Sequence, residues 1–400
     1  MITSGPSRQA MVLSGGGGYG AYEVGVMSAL FNGESPATEY RPLEVDMFAG
    51  TSVGAINSAI MVAHAADGLA NGVAHLTHIW RNEIANSAVR CGNGVYRFRG
   101  VPLELLDRNC LAEPFGILSN VTEDLSYFFR ESLRRGSRFM SSRASFTRRS
   151  LELLDLSALV DSDAFYGLVR DAVPLDRLSH TDKQLKVITT NFDTGEMTVF
   201  TSHDIAERVG HAAILASAAV PGFFPPVQID GEMHIDGGTL MNTPILPAVH
   251  GADVLHVVYM DPDIENIPVE YLQSTIGVVD RLLVTSFAFA INRDIESIQD
   301  FNRSLELVEA AEANPRMFDE RFQPLLRLAS GVYQQIQGST AFTTTTIHRY
   351  HPRDDLGGSL GFLNFDYDHI NQLIERGYED AVNHDCEASG CTFAHRGPVA

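Results

Sequence analysis

The chain has 400 residues, 44% of them hydrophobic, enough to bury one large core or two smaller ones. Its formal net charge of −21, from fifty acids and twenty-nine bases, argues against nucleic acid as the main partner, because phosphate binding needs concentrated Lys and Arg. Four cysteines, Cys91, Cys110, Cys386 and Cys391, do not form the disulfide framework of a small secreted scaffold.

The start, MITSGPSRQAMVLSGGGG, lacks the basic region, long apolar run and small-residue cleavage site of a secretory signal. The longest apolar runs, such as Leu282 to Ile291, fall short of the roughly 20 residues that a membrane span needs. The expectation is a cytoplasmic protein whose contact with a bilayer is peripheral; signal-independent export would leave the same N-terminus.

In chain order, Ala10 to Leu13 reads as a short buried strand that runs into the glycines Gly15, Gly16, Gly17 and Gly18. A helix is expected from about Gly20 to Phe31, with Tyr22, Val26 and Leu30 at i, i+4 spacing and Asn32-Gly33 as its stop. Val45 to Ala49 reads as a second strand that enters "GTSVG", Gly50 to Gly54. A small-residue helix follows, with Ile56, Ala59, Ile60 and Ala63 on one side. This alternation predicts a parallel sheet with helices on both faces.

Residues 91 to 150 are less regular. Between Arg130 and Arg149 stand seven arginines and one acid, Glu131. In so acidic a chain this reads first as a solvated surface segment, and second as a lid or a patch meeting anionic lipid heads. Sheet signals resume at Leu185–Asn191 and Met197–Thr201, joined through Asp193-Thr194-Gly195. Ala212 to Ala219 reads as a small-residue helix stopped by Pro221-Gly222. "VQIDGEMHIDGG" reads as two short strands around Asp230-Gly231 that end at Asp236, and Val254 to Met260 as another strand. Ile276, Val279, Leu283, Phe287, Ile291, Ile295, Ile298 and Leu305 step by three or four, predicting one long amphipathic helix whose stripe is core packing. A late strand over Thr344–Tyr350 precedes a last helix over Tyr367–Val382, with Ile370, Leu373, Ile374 and Tyr378 inward.

Two motifs carry chemistry. Gly15, Gly17 and Gly20 satisfy G-x-G-x-x-G between a strand and a helix, the dinucleotide fingerprint. That reading also wants an acid at the end of the second strand to hold the ribose. Glu39 has the distance but precedes the strand, which ends instead in Ala49-Gly50-Thr51-Ser52. "GTSVG" is a G-x-S-x-G pentapeptide, whose tight turn lifts the Ser52 side chain off the sheet above the positive end of a helix. Together the motifs suit ester hydrolysis better: a serine attacks an acyl carbonyl, and backbone N–H groups of a glycine run stabilise the oxyanion. A serine nucleophile needs a base. None of the fourteen histidines lies in a distinctive motif; His256, His348 and His351 read as structural. In "HIDGGTLMNTP", Asp236 ends a short strand and precedes Gly237-Gly238, presenting a carboxylate at an open turn.

Glycine loop, GTSVG, "ASAAVPGFFPPV" (Ala216–Val227) and "DGGTLMNTP" (Asp236–Pro244) stand in an order that resembles the patatin-like phospholipases, over about Ala10 to Met260. The resemblance implies a three-layer α/β/α sandwich with a mainly parallel central sheet, followed by C-terminal helices. It implies a Ser–Asp dyad without histidine, with Ser52 as nucleophile and Asp236 as base. Gly15, Gly16, Gly17 and Gly18 would form the oxyanion hole, supported by Gly20, Gly50, Gly54, Gly237 and Gly238. The substrates it implies are acyl esters of phospholipids or other lipids, with no cofactor and no metal. One departure is Tyr19, where the family's glycine loop usually carries Arg or Lys; Tyr19 brings one hydroxyl and no full charge.

The expected organisation is a single domain over 1–400, with a catalytic core over 8–260, an insertion or lid at 91–150, and a C-terminal helical extension over 261–400. Cys386 and Cys391 lie near His384 and His395, but their spacing fits no standard zinc pattern in what reads as a loose polar tail. The expectation there is free thiols and no metal. The alternatives to an acyl hydrolase are an NAD(P)-dependent oxidoreductase using the glycine loop and a catalytically inactive lipid-binding protein.

Overall fold

The computed structural model describes residues 7–85, 94–98, 160–262, 275–313, 344–358 and 361–394, with isolated positions elsewhere. The strands are β1 (Gln9–Leu13), β2 (Met47–Thr51), β3 (Arg97–Phe98), β4 (Val160–Asp161), β5 (Gln184–Asn191), β6 (Met197–Thr201), β7 (Val227–Ile229), β8 (Glu232–Asp236), β9 (Val254–Val258) and β10 (Thr346–Tyr350). The helices used below are α1 (Gly20–Phe31), α2 (Val53–Ala63), α3 (Leu69–Ile79), α4 (Ala212–Ser217), α5 (Ile245–Val249), α6 (Thr275–Ala313) and α7 (Tyr367–Val382). Among the described residues, strands β3 and β4 pair only with each other.

The central sheet runs β10-β9-β1-β2-β5-β8-β7, with β6 also on β5. From β10 to β5 every pairing is parallel; β6, β8 and β7 join antiparallel. Side chains alternate across a strand, and β1 shows what that does here. Met11 and Leu13 enter one core with α1, α2, α3 and α7. Ala10 and Val12 enter the other with α5 and the C-terminal half of α6. A strand buried on both faces reads as a continuous apolar run, and "AMVL" is one. The result is the three-layer α/β/α sandwich with C-terminal helices.

The boundaries of α1 and α7 match the helix expectations. Strand β2 begins two residues later than its apolar run and continues through Gly50 and Thr51, because these still pair with Leu13 and Ile188. In α6, the stripe residues Ile291, Ile295, Ile298 and Leu305 are buried and Phe287 is half-buried, while Val278, Leu282 and Phe289, which lie off the stripe, are exposed. Tyr378 is not inward: it lies at the rim, 37% exposed, and its hydroxyl donates to the Glu34 carboxylate. The segment expected as a helical extension also supplies β10, an edge strand of the central sheet. The described part of its tail is not loose, since Thr392 forms an antiparallel bridge with Ile347 of β10. The arginine-rich stretch 130–149, most of the expected lid at 91–150, and Cys91, Cys110 and His395 lie outside the described residues. Among the described residues no helix is long and apolar enough to cross a membrane.

Helix α7 closes the first core by crossing α1 at backbone contact. A Cβ at Gly25 would overlap the Ile374 carbonyl, and one at Gly377 the Tyr22 carbonyl. The Tyr22 hydroxyl donates to Asp380 at 2.9 Å and pins the same crossing. Backbone cannot yield as a side chain can, so extra volume here must separate the helices. Gly377→Val is expected to cost about 3 kcal/mol or more, read as a lowered urea midpoint. An unchanged midpoint would contradict this packing.

Candidate active site

Strand register places the two candidate side chains. Thr51 of β2 pairs with Ile188 of β5, and on the other side of β5 Thr189 pairs with Asp236 of β8. Ser52, the residue after Thr51, is therefore level with Asp236 across a single strand. On the other side of β2, Leu13 pairs with Gly50, which brings the glycine loop to the same level. Consistently, a Cβ added to Gly15 would stand 3.0 Å from the Ser52 Cβ. All three features lie at the carboxyl ends of β1 and β2, where open α/β sheets hold their ligands.

Ser52 sits at the entry to α2 with φ 55° and ψ −125°, a backbone conformation that costs a non-glycine residue about 1–3 kcal/mol. The surroundings force the bend. Gly50 lies against the Gly54 carbonyl, and Gly54 against the carbonyls of Leu13 and Ser14, so neither position has room for a side chain. The Ser52 N–H donates to Ser217 Oγ at 2.9 Å, and that hydroxyl donates to the Ile188 carbonyl at 2.6 Å. Ser217, on α4, thus ties the bend to β5. The Thr51 hydroxyl donates to the Met241 carbonyl at 2.9 Å, holding the turn after Asp236 against β2.

Asp236 is 5% exposed. Its Oδ1 accepts the Gly238 N–H at 2.7 Å. Oδ2 is buried without a fully formed hydrogen bond, while the neighbouring Ser52 hydroxyl still favours the ionised carboxylate. Burial is the larger effect and raises the Asp236 pKa from 3.8 to about 7. The carboxyl therefore titrates in the range where a proton acceptor at neutral pH is effective. Gly237, next in sequence, packs so closely on the Ile188 backbone of β5 that no side chain would fit there.

Among the described residues, no imidazole hydrogen-bonds Ser52 or Asp236. His234, two residues before Asp236, places Nδ1 3.0 Å from Thr189 Oγ1. His256 sits between the Tyr350 hydroxyl and Gln9 Oε1 at 3.1 Å from each.

In the glycine loop, the Gly15 N–H already donates to the Asn242 carbonyl at 3.0 Å, and Asn242 Nδ2 donates back to the Gly15 carbonyl at 3.2 Å. The N–H groups of Gly16, Gly17 and Gly18 have no acceptor among the described residues. A Cβ at Gly17 or Gly18 would run into the carbonyl oxygens of Phe362 and Asn364, and one at Gly20 into Val53. The Tyr19 hydroxyl is engaged, donating to the Gly358 carbonyl at 3.0 Å. A buried polar chain underlies the loop: Trp80 Nε1 donates to Asn57 Oδ1 at 2.9 Å. Asn57 Nδ2 donates to Glu23 Oε2 at 2.8 Å and to the Gly20 carbonyl at 3.1 Å. Burial pushes the Glu23 pKa well above the usual carboxylate range, against the hydrogen bond it accepts from Asn57. Ser217, Asn242 and Asn57 were missed in the sequence. Ser217 lies in "ASAAVPG" and Asn242 in "LMNTP", but nothing in either stretch says where its side chain points.

The strain at Ser52 has a measurable consequence. Ser52→Gly is expected to be about 1 kcal/mol more stable than Ser52→Ala, since only glycine adopts this conformation freely. Denaturation of the two variants checks it; equal stabilities would mean that the bend is unstrained.

A family model described as patatin-like phospholipase matches residues 11–249, more than half of the chain and the span holding every residue of this site except Gly358, Phe362 and Asn364. Among solved structures, VipD from Legionella pneumophila is similar at 14% identity, over 96% of this chain and 68% of that one, with a TM-score of 0.38. With the family model matched over more than half of the chain, including Ser52, Asp236 and the glycine loop, the chain belongs to the patatin-like phospholipase family, whose members are generally lipid acyl hydrolases.

Proposed function

We propose that the protein is a serine lipid acyl hydrolase of the phospholipase A or lysophospholipase type, with Ser52 as nucleophile and Asp236 as base. The observation that carries this is a buried carboxyl, raised to about pKa 7, next to a serine at a strained bend, with no histidine among the described residues bonded to either. Ionised Asp236 accepts the Ser52 proton as Oγ attacks the acyl carbon. The oxyanion accepts hydrogen bonds from the glycine loop, and the C–O bond to the alcohol breaks as protonated Asp236 returns the proton to the leaving oxygen. Water, deprotonated by the same carboxylate, then attacks the acyl-enzyme, and the fatty acid leaves as the proton returns to Ser52.

The oxyanion donors are the amides of Gly16, Gly17 and Gly18, aided by the positive end of α2. The Gly15 amide is spent on Asn242, so Gly15 serves by fitting closely against Ser52. Tyr19 has spent its hydroxyl on Gly358 and gives the loop no cation for a headgroup phosphate. Carbonyl oxygens beside Gly17 and Gly18 disfavour a pyrophosphate there, and with it the oxidoreductase reading. Residues 8–260 form the catalytic core in this account, completed by β10 and α7 within one domain.

The test is a panel of phospholipids, lysophospholipids and triglycerides assayed with the wild-type chain, Ser52→Ala and Asp236→Asn. Each variant is expected to lose at least about 10³-fold in kcat. In the wild type kcat/KM should rise with pH to a plateau, with a midpoint near 7, because only ionised Asp236 accepts the proton. Wild-type activity in either variant would overturn the dyad. Vesicle binding without turnover of any ester would identify an inactive lipid-binding protein, and tight NAD(P) binding an oxidoreductase.

A further inference from the structure

We propose that His348, His384, Cys386 and Cys391 bind a zinc ion that staples the C-terminal segment to the edge strand β10. The four residues come from two distant stretches, β10 and the turn just after α7, yet their ligand atoms all lie within 4.8 Å of one another. Cys386 Sγ is 3.5 Å from His348 Nδ1 and 3.4 Å from His384 Nε2, and Cys391 Sγ is 3.4 Å from the same Nε2. A tetrahedron built from Zn–S bonds of about 2.3 Å and Zn–N bonds of about 2.0–2.1 Å has S···N edges of about 3.5 Å. The side chains therefore already stand at the spacing of a coordination shell. Both thiols are free.

The donor set selects the metal. Two sulfurs and two imidazole nitrogens in tetrahedral array suit zinc and exclude the oxygen-seeking calcium and magnesium. Two thiolates also cancel the charge of a divalent ion, so the half-buried site needs no further counter-charge. Binding releases the two thiol protons to solvent and changes no oxidation state.

The backbone holds the ligands independently of any ion. Ile347 and Thr392 exchange two backbone hydrogen bonds of 2.7 and 2.9 Å, covering the free edge of β10 beside His348. The turn closes on itself through Cys391 N–H to the Cys386 carbonyl at 2.9 Å. The Asp385 carboxylate accepts the N–H groups of Glu387 and Ala388 at 2.9 and 3.1 Å. The Arg349 N–H points at Cys391 Sγ from 3.4 Å, the outer-shell contact that steadies a metal-bound thiolate. His256 stacks on the His348 ring, centroids 5.1 Å apart, fixing its plane. The site is structural and separate from Ser52: β10 leads on toward the Phe362 and Asn364 carbonyls that flank the glycine loop.

Elemental analysis of the full chain, purified under reducing conditions without chelator, is expected to find about one zinc per chain. Cobalt(II) added to the demetallated wild type should give the intense visible absorption of a tetrahedral thiolate site, and zinc should displace it. The Cys386→Ser, Cys391→Ser double variant should lose both signals, and a Cys91→Ser, Cys110→Ser variant should keep them. A reduced, folded wild-type chain that takes up neither ion stoichiometrically overturns the proposal, as does a double variant that still binds. The wild-type titration decides even where a variant fails to fold.

Discussion

The chemistry rests on β5 being paired in two directions at once. Its parallel register with β2 and its antiparallel register with β8 bring the ends of two strands to the same height from opposite chain directions. A strand slip of one residue would turn every side chain to the other face and carry Asp236 away from Ser52. The register is held by burial on both faces of β1, β2 and β5 rather than by anything at the site. Ser217 converts that register into side-chain position, since one hydroxyl accepts from the Ser52 amide and donates to the β5 backbone.

The second constraint is desolvation. In water an aspartate, with a pKa of 3.8, is a poor base at neutral pH; inside this sheet it reaches about 7. The same burial is a stability cost. An acid with a raised folded-state pKa favours its neutral form in the fold, so the cost is absent below about pH 4, grows as pH rises, and is complete above 7. At full ionisation the shift corresponds to an upper figure of about 4 kcal/mol, which the two apolar cores offset. The strained turn at Ser52 is a smaller cost of the same kind. Both fall on the two residues at the centre of the proposed reaction, and the surroundings that impose them are rigid backbone.

Much of this was legible in the sequence because local patterns and burial agree. The run into Gly15–Gly18, the "GTSVG" turn and the Asp236-Gly237-Gly238 turn are each short-range signals, and their elements form where expected. What was not legible depends on long-range placement. The raised pKa of Asp236 comes from packing around it. The loss of the Gly15 amide to Asn242 depends on a turn more than two hundred residues away. The His–Cys cluster escaped for a related reason: its fourth member, His348, lies on a strand, and the H-x-C-x₄-C run at 384–391 is incomplete without it.

The central claim is that Asp236 activates Ser52, and the pH dependence of fluorophosphonate labelling reads it without any choice of lipid. The account predicts a single adduct on Ser52. Its rate should rise with pH to a plateau, with a midpoint near 7, and fall to background in Asp236→Asn. Labelling elsewhere in the chain, or a wild-type rate in Asp236→Asn, would contradict it.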